Sequence, residues 1–370
     1  MTLRIDENPE SRVPLSADRK SVGVRQLNAS DERQWTGFLT TRPEANLYHT
    51  PLWRDFITSC FNHEPLYLLA ERAGAVSGIL PLFLVRNAFL GSKLLSLPYD
   101  VSSGGALALD DESERALYEH AIAEARRLRV GFLEFRSDRP RPVLDDLGLI
   151  RSEPVVISEM ELDGKSSVWQ RVAEDHVKAL RKARNRGVEI RLAGTRQEFA
   201  DFYRVYLEVF RAFGTPPYGV RYFDLLYERL HPTEHVKIFL AFVDGSCVGG
   251  LQLFCWGRNL VSKFAACLPE AVPRRAYAAL YGAAIEYGLQ AGFARLNWGS
   301  SSRSQAGLIA FKEGWGALGR PAVLYSLPVR GSVPDVARYY DPDGVRKRIW
   351  RKLPLPWTRI VGHSLNRWFC

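Results

Sequence analysis

The stretch LYLLAERAGAVSGILPL, Leu66–Leu82, sets the fold class because it recurs in outline farther along the chain. Its counterpart is IFLAFVDGSCVGGLQL, Ile238–Leu253. Each stretch is an apolar run, a short turn that contains Gly74 or Gly245, and a second apolar run. Two apolar runs joined by a glycine turn are typical of a β-hairpin. The sequence therefore predicts the same hairpin twice.

The segments that follow each hairpin also recur. LYEHAI, Leu117–Ile122, returns as LYGAAI, Leu280–Ile285, and each opens a predicted amphipathic helix. A predicted short strand comes next in both places, as LEFRS, Leu133–Ser137, and as ARLNWGS, Ala294–Ser300. The same order of hairpin, helix and strand in both halves indicates an internal duplication. We predict an α/β (α+β) fold of two tandem domains, each a mixed sheet flanked by helices.

The predicted division of the chain has four parts. They are a disordered N-terminus at 1–20, a first domain at 21–160, a second domain at 161–330 and a basic, aromatic tail at 331–370. The first twenty residues have no apolar core of a secretory signal, and no run reaches the ~20 apolar residues of a membrane span. The five cysteines form no CxxC pair and no His/Cys cluster, so neither a zinc site nor a disulfide framework is expected, and no metal ligand is predicted. We expect a cytoplasmic protein.

The net charge of +9 is concentrated in two places. Residues 165–191 hold eight Lys or Arg against three acids, which gives +5, and residues 331–370 hold the same numbers and the same excess. Residues 166–186 are predicted as one amphipathic helix whose polar face carries Lys178 and Arg181. These side chains suit a charged tRNA, a nucleotide diphosphate or a polyprenyl diphosphate, and the alternative is an ordinary solvated face.

The tail combines bases with tryptophan, leucine and isoleucine, in GVRKRIWRKLPLPWTRIVGHSLNRWFC, Gly344–Cys370. Such a composition is typical of a segment that lies on an anionic membrane surface. The alternative is a tail that packs back onto the domain. The membrane interpretation places the protein peripherally at the inner membrane.

Five motifs in order resemble the FemAB-like branch of the GNAT acyltransferase superfamily, and in particular the FemAB-related proteins of exopolysaccharide and exosortase systems. They are YHTPLWRDF (48–56), ILPLFLVRNAFLGSKLLSLPYDVSSGG (79–105), LEFR (133–136), ALRKARNRGVEI (179–190) and WGSSSRSQAGLIAFKEGWG (298–316). The resemblance covers roughly residues 47–327. It implies tandem GNAT-like domains and acyl transfer, and better-understood members transfer aminoacyl groups to amines of peptidoglycan precursors.

The chain departs from GNAT enzymes that use acetyl-CoA. Those enzymes bind pyrophosphate with backbone amides of a Q/R-x-x-G-x-G/A loop before the central helix. Here the connection reads CLPEAVPRRAYAAL, Cys267–Leu280, with two prolines and no glycine, and proline lacks the amide donor. Arg275 at the helix start is a candidate phosphate ligand, and the alternative is an ordinary solvated helix N-terminus. No permanently bound cofactor is expected, and the donor is either an acyl-CoA or an aminoacyl-tRNA.

Lys312 is the predicted catalytic residue. It lies between Phe311 and Trp315 in LIAFKEGWG, and a lysine sheltered from water can stabilise the oxyanion of acyl transfer. The resemblance adds that an F-K pair lines the channel where two substrates meet, and Phe311 and Lys312 hold the matching positions. The alternative is a lysine that only packs beside a core tryptophan. Predicted substrate ligands on the preceding strand and loop are Trp298, Ser300, Ser302 and Arg303.

The loop PYDVSSGG supplies two further candidates. Asp100 is the candidate general base and Tyr99 a candidate substrate ligand, with ordinary turn chemistry as the alternative for both. No G-x-S-x-G motif occurs at Ser300–Ser304, so covalent catalysis is not predicted.

The predicted function is transfer of an acyl or aminoacyl group to an amine or hydroxyl of a cell-envelope or exopolysaccharide precursor. Two alternatives remain. One is an N-acetyltransferase that depends on acetyl-CoA. The other is a non-catalytic, membrane-associated scaffold of a polysaccharide export system.

Overall fold

The computed structural model describes residues 21–87, 91–99, 104–333 and 345–367. Their strands form a single mixed sheet of thirteen strands. The first half supplies β1 (Gly23–Gln26), β2 (Glu64–Arg72), β3 (Ala75–Asn87), β4 (Gly91–Leu95), β5 (Leu107–Ala108), β6 (Phe132–Ser137) and β7 (Ile150–Glu161). The second half supplies β8 (Glu189–Leu192), β9 (Val236–Val243), β10 (Ser246–Trp256), β11 (Asn259–Cys267), β12 (Arg295–Ser302) and β13 (Leu318–Pro328).

Helices cover both faces of this sheet. In the first half they are α1 (Glu32–Thr40), α2 (Pro51–Phe61), α3 (Asp111–Arg127) and α4 (Pro142–Asp146). The second half has α5 (Lys165–Arg171), α6 (Glu174–Asn185), α7 (Arg196–Phe213), α8 (Val220–Leu225), α9 (Ala276–Gln290) and α10 (Ala306–Gly314), and the tail has α11 (Val345–Lys352) and α12 (Leu355–Asn366). A search of the described helices for one long and apolar enough to cross a bilayer finds none.

The predicted duplication is confirmed. β2 pairs antiparallel with β3, and β9 pairs antiparallel with β10, so both predicted hairpins form. In each half the strand after the long helix pairs in parallel, β6 with β4 and β12 with β11. The α/β class with a mixed sheet flanked by helices is therefore correct.

The two halves exchange their last strands. The strand order is β1-β2-β3-β4-β6-β13-β7-β12-β11-β10-β9-β8, with β5 beside β3. Strand β13 of the second half lies between β6 and β7, and β7 of the first half pairs with β12 of the second. Val155, Ile157 and Ala322 form a small buried cluster at this junction. Because of this exchange, the strands of both halves form one continuous sheet. The domain boundary predicted at 160/161 stays a prediction.

Apolar side chains from both halves share one core on one face of the sheet. Helices α1 and α2 pack there together with α7 and α8, and Trp53, Phe56, Tyr222 and Phe254 are in ring contact. On the opposite face, α3 covers the first half and α9 covers the second. The shared core is the main apolar contact between the halves.

Local sequence signals fix the ends of α7. The Thr195 side chain accepts a hydrogen bond from the backbone N–H of Glu198, and the Glu198 carboxylate accepts one from the N–H of Thr195. Gly214 ends the helix with a φ of +74°, a left-handed conformation that favours glycine. A capping box and a C-terminal glycine thus define the two ends of α7.

The single helix predicted over 166–186 is wrong, because α5 and α6 are separate. Val172 is extended, and the N–H of Ala173 donates to the carbonyl oxygen of Gly314 over 2.8 Å. A bond to a distant loop replaces a helical bond at this point. At this break the start of α6 lies against the end of α10.

The tail packs back onto both halves, and it does so through one side only. α11 and α12 contact α7, the His363 ring stacks on Phe61 at 5.4 Å, and Trp350 is buried. Ile349, Trp357 and Ile360 are 59–71% exposed on the outer side. The packing that the alternative predicts is present, and an apolar outer face remains available.

Candidate active site

Lys312 is a buried cation on α10. Its side chain is only 4% exposed, and its Nζ atom donates to the carbonyl oxygen of Gly299 over 2.9 Å and to that of Ser300 over 3.4 Å. Burial lowers the pKa of Lys312 to about 8, so the ammonium is the main form at pH 7. An ammonium has three N–H donors. Among the described residues, no protein acceptor is present for the third.

The backbone of β12 is shaped to meet this lysine. β12 pairs with β11 only from Arg295 to Asn297, and its register on β7 shifts between Asn297 and Ser300. The Asn297 Oδ1 atom accepts a hydrogen bond from the N–H of Gly299 over 2.7 Å, and Gly299 has a φ of +74°. A side chain at 299 would be strained, and its Cβ would lie 3.1 Å from the Ser262 carbonyl oxygen. This break leaves the two carbonyls free for the lysine.

Aromatic rings surround the same region and limit water there. Trp298 stacks on Tyr281 with ring centroids 4.5 Å apart, and Phe311 lies 5.6 Å from Tyr281. Trp315 is fully buried, and its ring contacts Trp298 at 5.9 Å. We call the rings of Tyr281, Trp298, Phe311 and Trp315 the aromatic wall. Because these rings exclude water, the dielectric constant beside them is low, which strengthens the field of a neighbouring cation. Trp298, Ser300, Phe311 and Lys312, four of the predicted site residues, thus lie around the junction of β12 and α10.

His176 belongs to this wall as a packed histidine. Its Nε2 atom lies 3.0 Å from the carbonyl oxygen of Phe311, and its ring is 4.9 Å from that of Trp315. No cluster of three potential metal ligands is found in the described part of the chain.

Three buried polar atoms near the junction lack a partner among the described residues. They are the Nε1 atoms of Trp298 and Trp315 and the Oγ atom of Ser301. A buried donor without a partner costs about 1–3 kcal/mol. A polar substrate group is one way to satisfy such an atom.

Ser302 ends β12, and Arg303 follows it in the turn before α10. The Arg303 guanidinium donates from Nε to the backbone carbonyl of Glu153 over 2.7 Å, and it pairs with the Glu153 carboxylate at 3.1 Å. Ser302 exchanges a hydrogen bond with Ser304 at 2.8 Å. Glu153 therefore occupies much of the arginine fork that the sequence assigns to substrate.

Tyr99 lies in the aromatic core on the other face of the sheet. Its hydroxyl is 2.6 Å from the Nε2 atom of His63, and its ring stacks on Phe61 at 4.1 Å. The Lys263 ammonium from the second half donates to the carbonyl oxygen of Tyr99. Burial lowers the pKa of His63 to about 3. Asp100, the candidate general base, lies outside the described residues.

The remaining predicted ligands are on the surface. Lys178 is exposed on α6 and pairs with Glu174 at 2.9 Å, the i, i+4 pair that the sequence shows. Arg181 is exposed one turn farther on, and it forms no ion pair with any described residue. Arg275 is exposed at the start of α9 with a φ of +67°. These side chains offer positive charge to an anion and do not line the Lys312 junction.

A polar cleft between the halves was not predicted. It has a volume of about 290 Å³, and Lys312 is not among its lining side chains. Asn46, His49, Asp138 and Arg141 come from the first half, and Asn259, Arg295, Asn297 and Arg320 from the second. Asn297 and Arg295 alternate along β12 with Leu296 and Trp298, so the cleft and the aromatic wall lie on opposite faces. No local sequence pattern indicates this cleft, because its residues are far apart in the chain.

Comparisons with known proteins agree with this architecture. Residues 170–307 match the family model described as an acetyltransferase (GNAT) domain. A crystal structure of FemX aligns with a TM-score of 0.67 and 14% identity over 83% of this chain and 98% of its own. No curated protein sequence matches the chain.

Two further solved structures share the fold. A tandem GNAT protein from the clavulanic acid biosynthesis pathway aligns with a TM-score of 0.55 and 14% identity, over 85% of this chain and all of its own (100%). The C-terminal domain of a putative lysylphosphatidylglycerol synthetase from Agrobacterium fabrum aligns with a TM-score of 0.55 and 13% identity, over 85% and 95% of the two chains. The predicted tandem GNAT-like fold is confirmed.

Proposed function

We propose that this chain, a GNAT-type acyltransferase with the tandem fold of FemX, moves an acyl or aminoacyl group to a cell-envelope or exopolysaccharide precursor. The acceptor atom is an amine or a hydroxyl. One observation carries the proposal: the buried Lys312 ammonium is held by two backbone carbonyls and keeps a third N–H for a ligand.

Lys312 acts on the charge that develops during transfer. The acceptor attacks the acyl carbon, the carbonyl bond opens to an oxyanion, and the bond to the donor's leaving oxygen or sulfur then breaks. The acceptor loses one proton and the leaving group gains one, so the step balances. A fixed donor aimed at the oxyanion lowers the barrier by about 3 kcal/mol. Because Gly299 and Ser300 already orient the ammonium, little reorganisation is needed at that moment.

An aminoacyl-tRNA suits the described surface better than an acyl-CoA. The β11–α9 connection is a 3-10 turn at Pro269–Ala271 followed by Pro273, so few backbone amides face outward. The N–H of Cys267, at the end of β11, already donates to the Tyr277 hydroxyl over 3.1 Å. The exposed side chains Lys178, Arg181 and Arg275 supply positive charge for a polyanion instead.

The tail supports an acceptor at the membrane. We call its outer side the tail surface: the exposed Ile349, Trp357 and Ile360, with the exposed bases Arg348, Arg351, Lys352 and Arg359. Each base near an anionic bilayer contributes about 1 kcal/mol. The synthetase with the same fold is named for a lipid product, and a lipid-linked acceptor fits the same arrangement.

Two parallel incubations test the proposal. Purified protein and bacterial membranes are supplied with labelled aminoacyl-tRNA in one reaction and labelled acetyl-CoA in the other, with heat-denatured protein as the control. We expect label from aminoacyl-tRNA to enter an envelope or polysaccharide precursor. If only acetyl-CoA labels the precursor, the donor is acetyl-CoA and not aminoacyl-tRNA. That result would support an acetyltransferase. Transfer from neither donor, with membrane binding intact, would support the scaffold.

A further inference from the structure

The polar cleft has a buried end and an exposed rim. His49 and Asn297 are buried at the inner end, whereas Arg139, Arg295 and Glu161 are exposed at the rim. Two amide contacts hold the walls together, since the Asn259 Nδ2 atom donates to the carbonyl oxygens of Pro43 and Ala45 over 3.1 and 3.0 Å. The cleft is therefore a built feature of the junction between the halves.

His49 lines the cleft, and one of its ring nitrogens is buried without a partner among the described residues. The ring is 2% exposed, its Nδ1 atom lies 3.1 Å from the Asn46 Oδ1 atom, and its Nε2 atom bonds to none of the described residues. Burial lowers the pKa of His49 to about 3, so the ring is neutral at pH 7. The Nδ1 atom lies within hydrogen-bond distance of both the backbone N–H and the Oδ1 atom of Asn46, so Nε2 is an acceptor or a donor according to the tautomer. A hydroxyl group can donate and accept, and it therefore matches Nε2 in either tautomer.

The charges inside the cleft are already matched. Arg141 pairs with Glu114 at 2.7 Å, and Arg320 pairs with Glu159 at 3.5 Å. At the rim, two bases, Arg139 and Arg295, and two acids, Glu44 and Glu161, form no ion pair with any described residue. Equal numbers of free cations and anions favour a ligand without net charge, because an excess of either sign would meet repulsion.

The uncharged side chains at the inner end of the cleft further restrict the chemical class of the ligand. Asn297 also lines the cleft, and its amide keeps its Nδ2 donors while its Oδ1 atom accepts from the N–H of Gly299. Leu107, Leu260 and Val261 line the same cleft and supply apolar surface. Neutral donors and acceptors beside apolar carbon match the hydroxyls and C–H faces of a sugar ring. The cleft has a volume of about 290 Å³, which is at the small end of the range for ligand sites. A cleft of this size suits a ligand of about one or two sugar rings.

We propose that the polar cleft binds an uncharged sugar. The site goes beyond the proposed transfer reaction, since it contains none of the described residues predicted for that chemistry. The His49 Nε2 atom bonds to one sugar hydroxyl, the Asn297 amide donates to another, and the rim residues bond the outer hydroxyls.

Saturation-transfer difference NMR on the full chain tests this inference without any acyl donor. The probes are the methyl α-glycosides of glucose, galactose and mannose, N-acetylglucosamine, and the zwitterion glycine betaine. We expect transfer to the ring protons of at least one sugar and none to betaine. Absence of signal from all four sugars, or signal from betaine alone, overturns the proposal.

Three variants locate the binding. Arg295→Trp places a bulky ring at the rim on an exposed strand position, and His49→Phe removes the ring nitrogens. Arg258→Trp is the matched control, because Arg258 is exposed on the adjacent turn and does not line the cleft. We expect at least tenfold weaker sugar binding in Arg295→Trp and His49→Phe, and unchanged binding in Arg258→Trp. Full binding by Arg295→Trp overturns the assignment even if His49→Phe fails to fold.

Discussion

The Nζ atom of Lys312 lies 2.9 Å from the carbonyl oxygen of Gly299, on a strand whose pairing is interrupted at that glycine. Two sequence features meet in this contact: a lysine between aromatic residues and a glycine after tryptophan. The carbonyl holds the ammonium in place and accepts from one of its donors. Burial and orientation together make it a fixed positive charge in a water-poor region.

The buried amine predicts a specific dependence of stability on pH. The pKa of Lys312 falls from 10.5 to about 8 on folding, because burial disfavours the charged form. Between these pH values the unfolded chain binds more protons than the folded chain, so this group's contribution to stability rises with pH. Below pH 8 both states hold the proton and the contribution is constant.

Urea unfolding of wild type and Lys312→Met between pH 7 and 10.5 measures this contribution. We expect the free energy of unfolding of wild type to increase relative to that of Lys312→Met from pH 8 upward. A difference that stays constant over the range, or that moves the other way, would show that the lysine is not buried as described.

The packing of the tail predicts that alanine substitution lowers the free energy of unfolding unequally at two glycines, although their φ angles are the same. Gly214 and Gly292 both have a φ of +74°, but a Cβ at Gly214 would lie 2.8 Å from that of Lys347, whereas nothing lies within 4 Å of one at Gly292. Alanine carries the same backbone strain at both sites, about 1–2 kcal/mol. Only Gly214→Ala also forces α7 and α11 apart, at a further cost of about 1–3 kcal/mol.

Denaturant unfolding and limited proteolysis separate the two variants. We expect a larger loss of unfolding free energy in Gly214→Ala, with faster cleavage of the tail. Equal losses in both variants would mean that the tail does not rest on Gly214.

The tail surface predicts binding to anionic vesicles. Trp357→Ala combined with Ile360→Ala removes its two most exposed apolar side chains, 63% and 71% exposed. Loss of their insertion weakens binding at least about tenfold. The control is Leu318→Ala, since Leu318 is 78% exposed on β13, away from the tail.

Sedimentation with phosphatidylglycerol-containing vesicles measures that difference. Binding of wild type falls as salt increases, because the bases contribute through screened charge. Equal binding by the double variant and by Leu318→Ala would contradict a role for the tail surface.

Local pattern was enough to predict the repeated elements. The hairpins β2–β3 and β9–β10 follow from apolar runs broken at Gly74 and Gly245. The burial of Lys312 follows from its aromatic neighbours Phe311 and Trp315. In each case the residues that determine the element lie within a few positions of one another.

Long-range pairings could not be predicted in this way. Exchange of β7 and β13 depends on strands that are far apart in the chain, and periodicity carries no information on their partners. For the same reason, the sequence did not indicate that Arg303 pairs with Glu153, which lies 150 positions earlier. The polar cleft joins Asn46 and His49 to Asn297, so no local signal marks it.

Transfer activity of Lys312→Met is the measurement that tests the central claim most directly. Methionine keeps the length and burial of the side chain but removes its charge. With the donor that labels the acceptor for wild type, we predict that kcat/KM falls about 100- to 1,000-fold. Lys165→Met, on a 68% exposed lysine paired with Glu286, controls for loss of a charge and should retain wild-type activity. Wild-type transfer by a folded Lys312→Met enzyme would contradict the account.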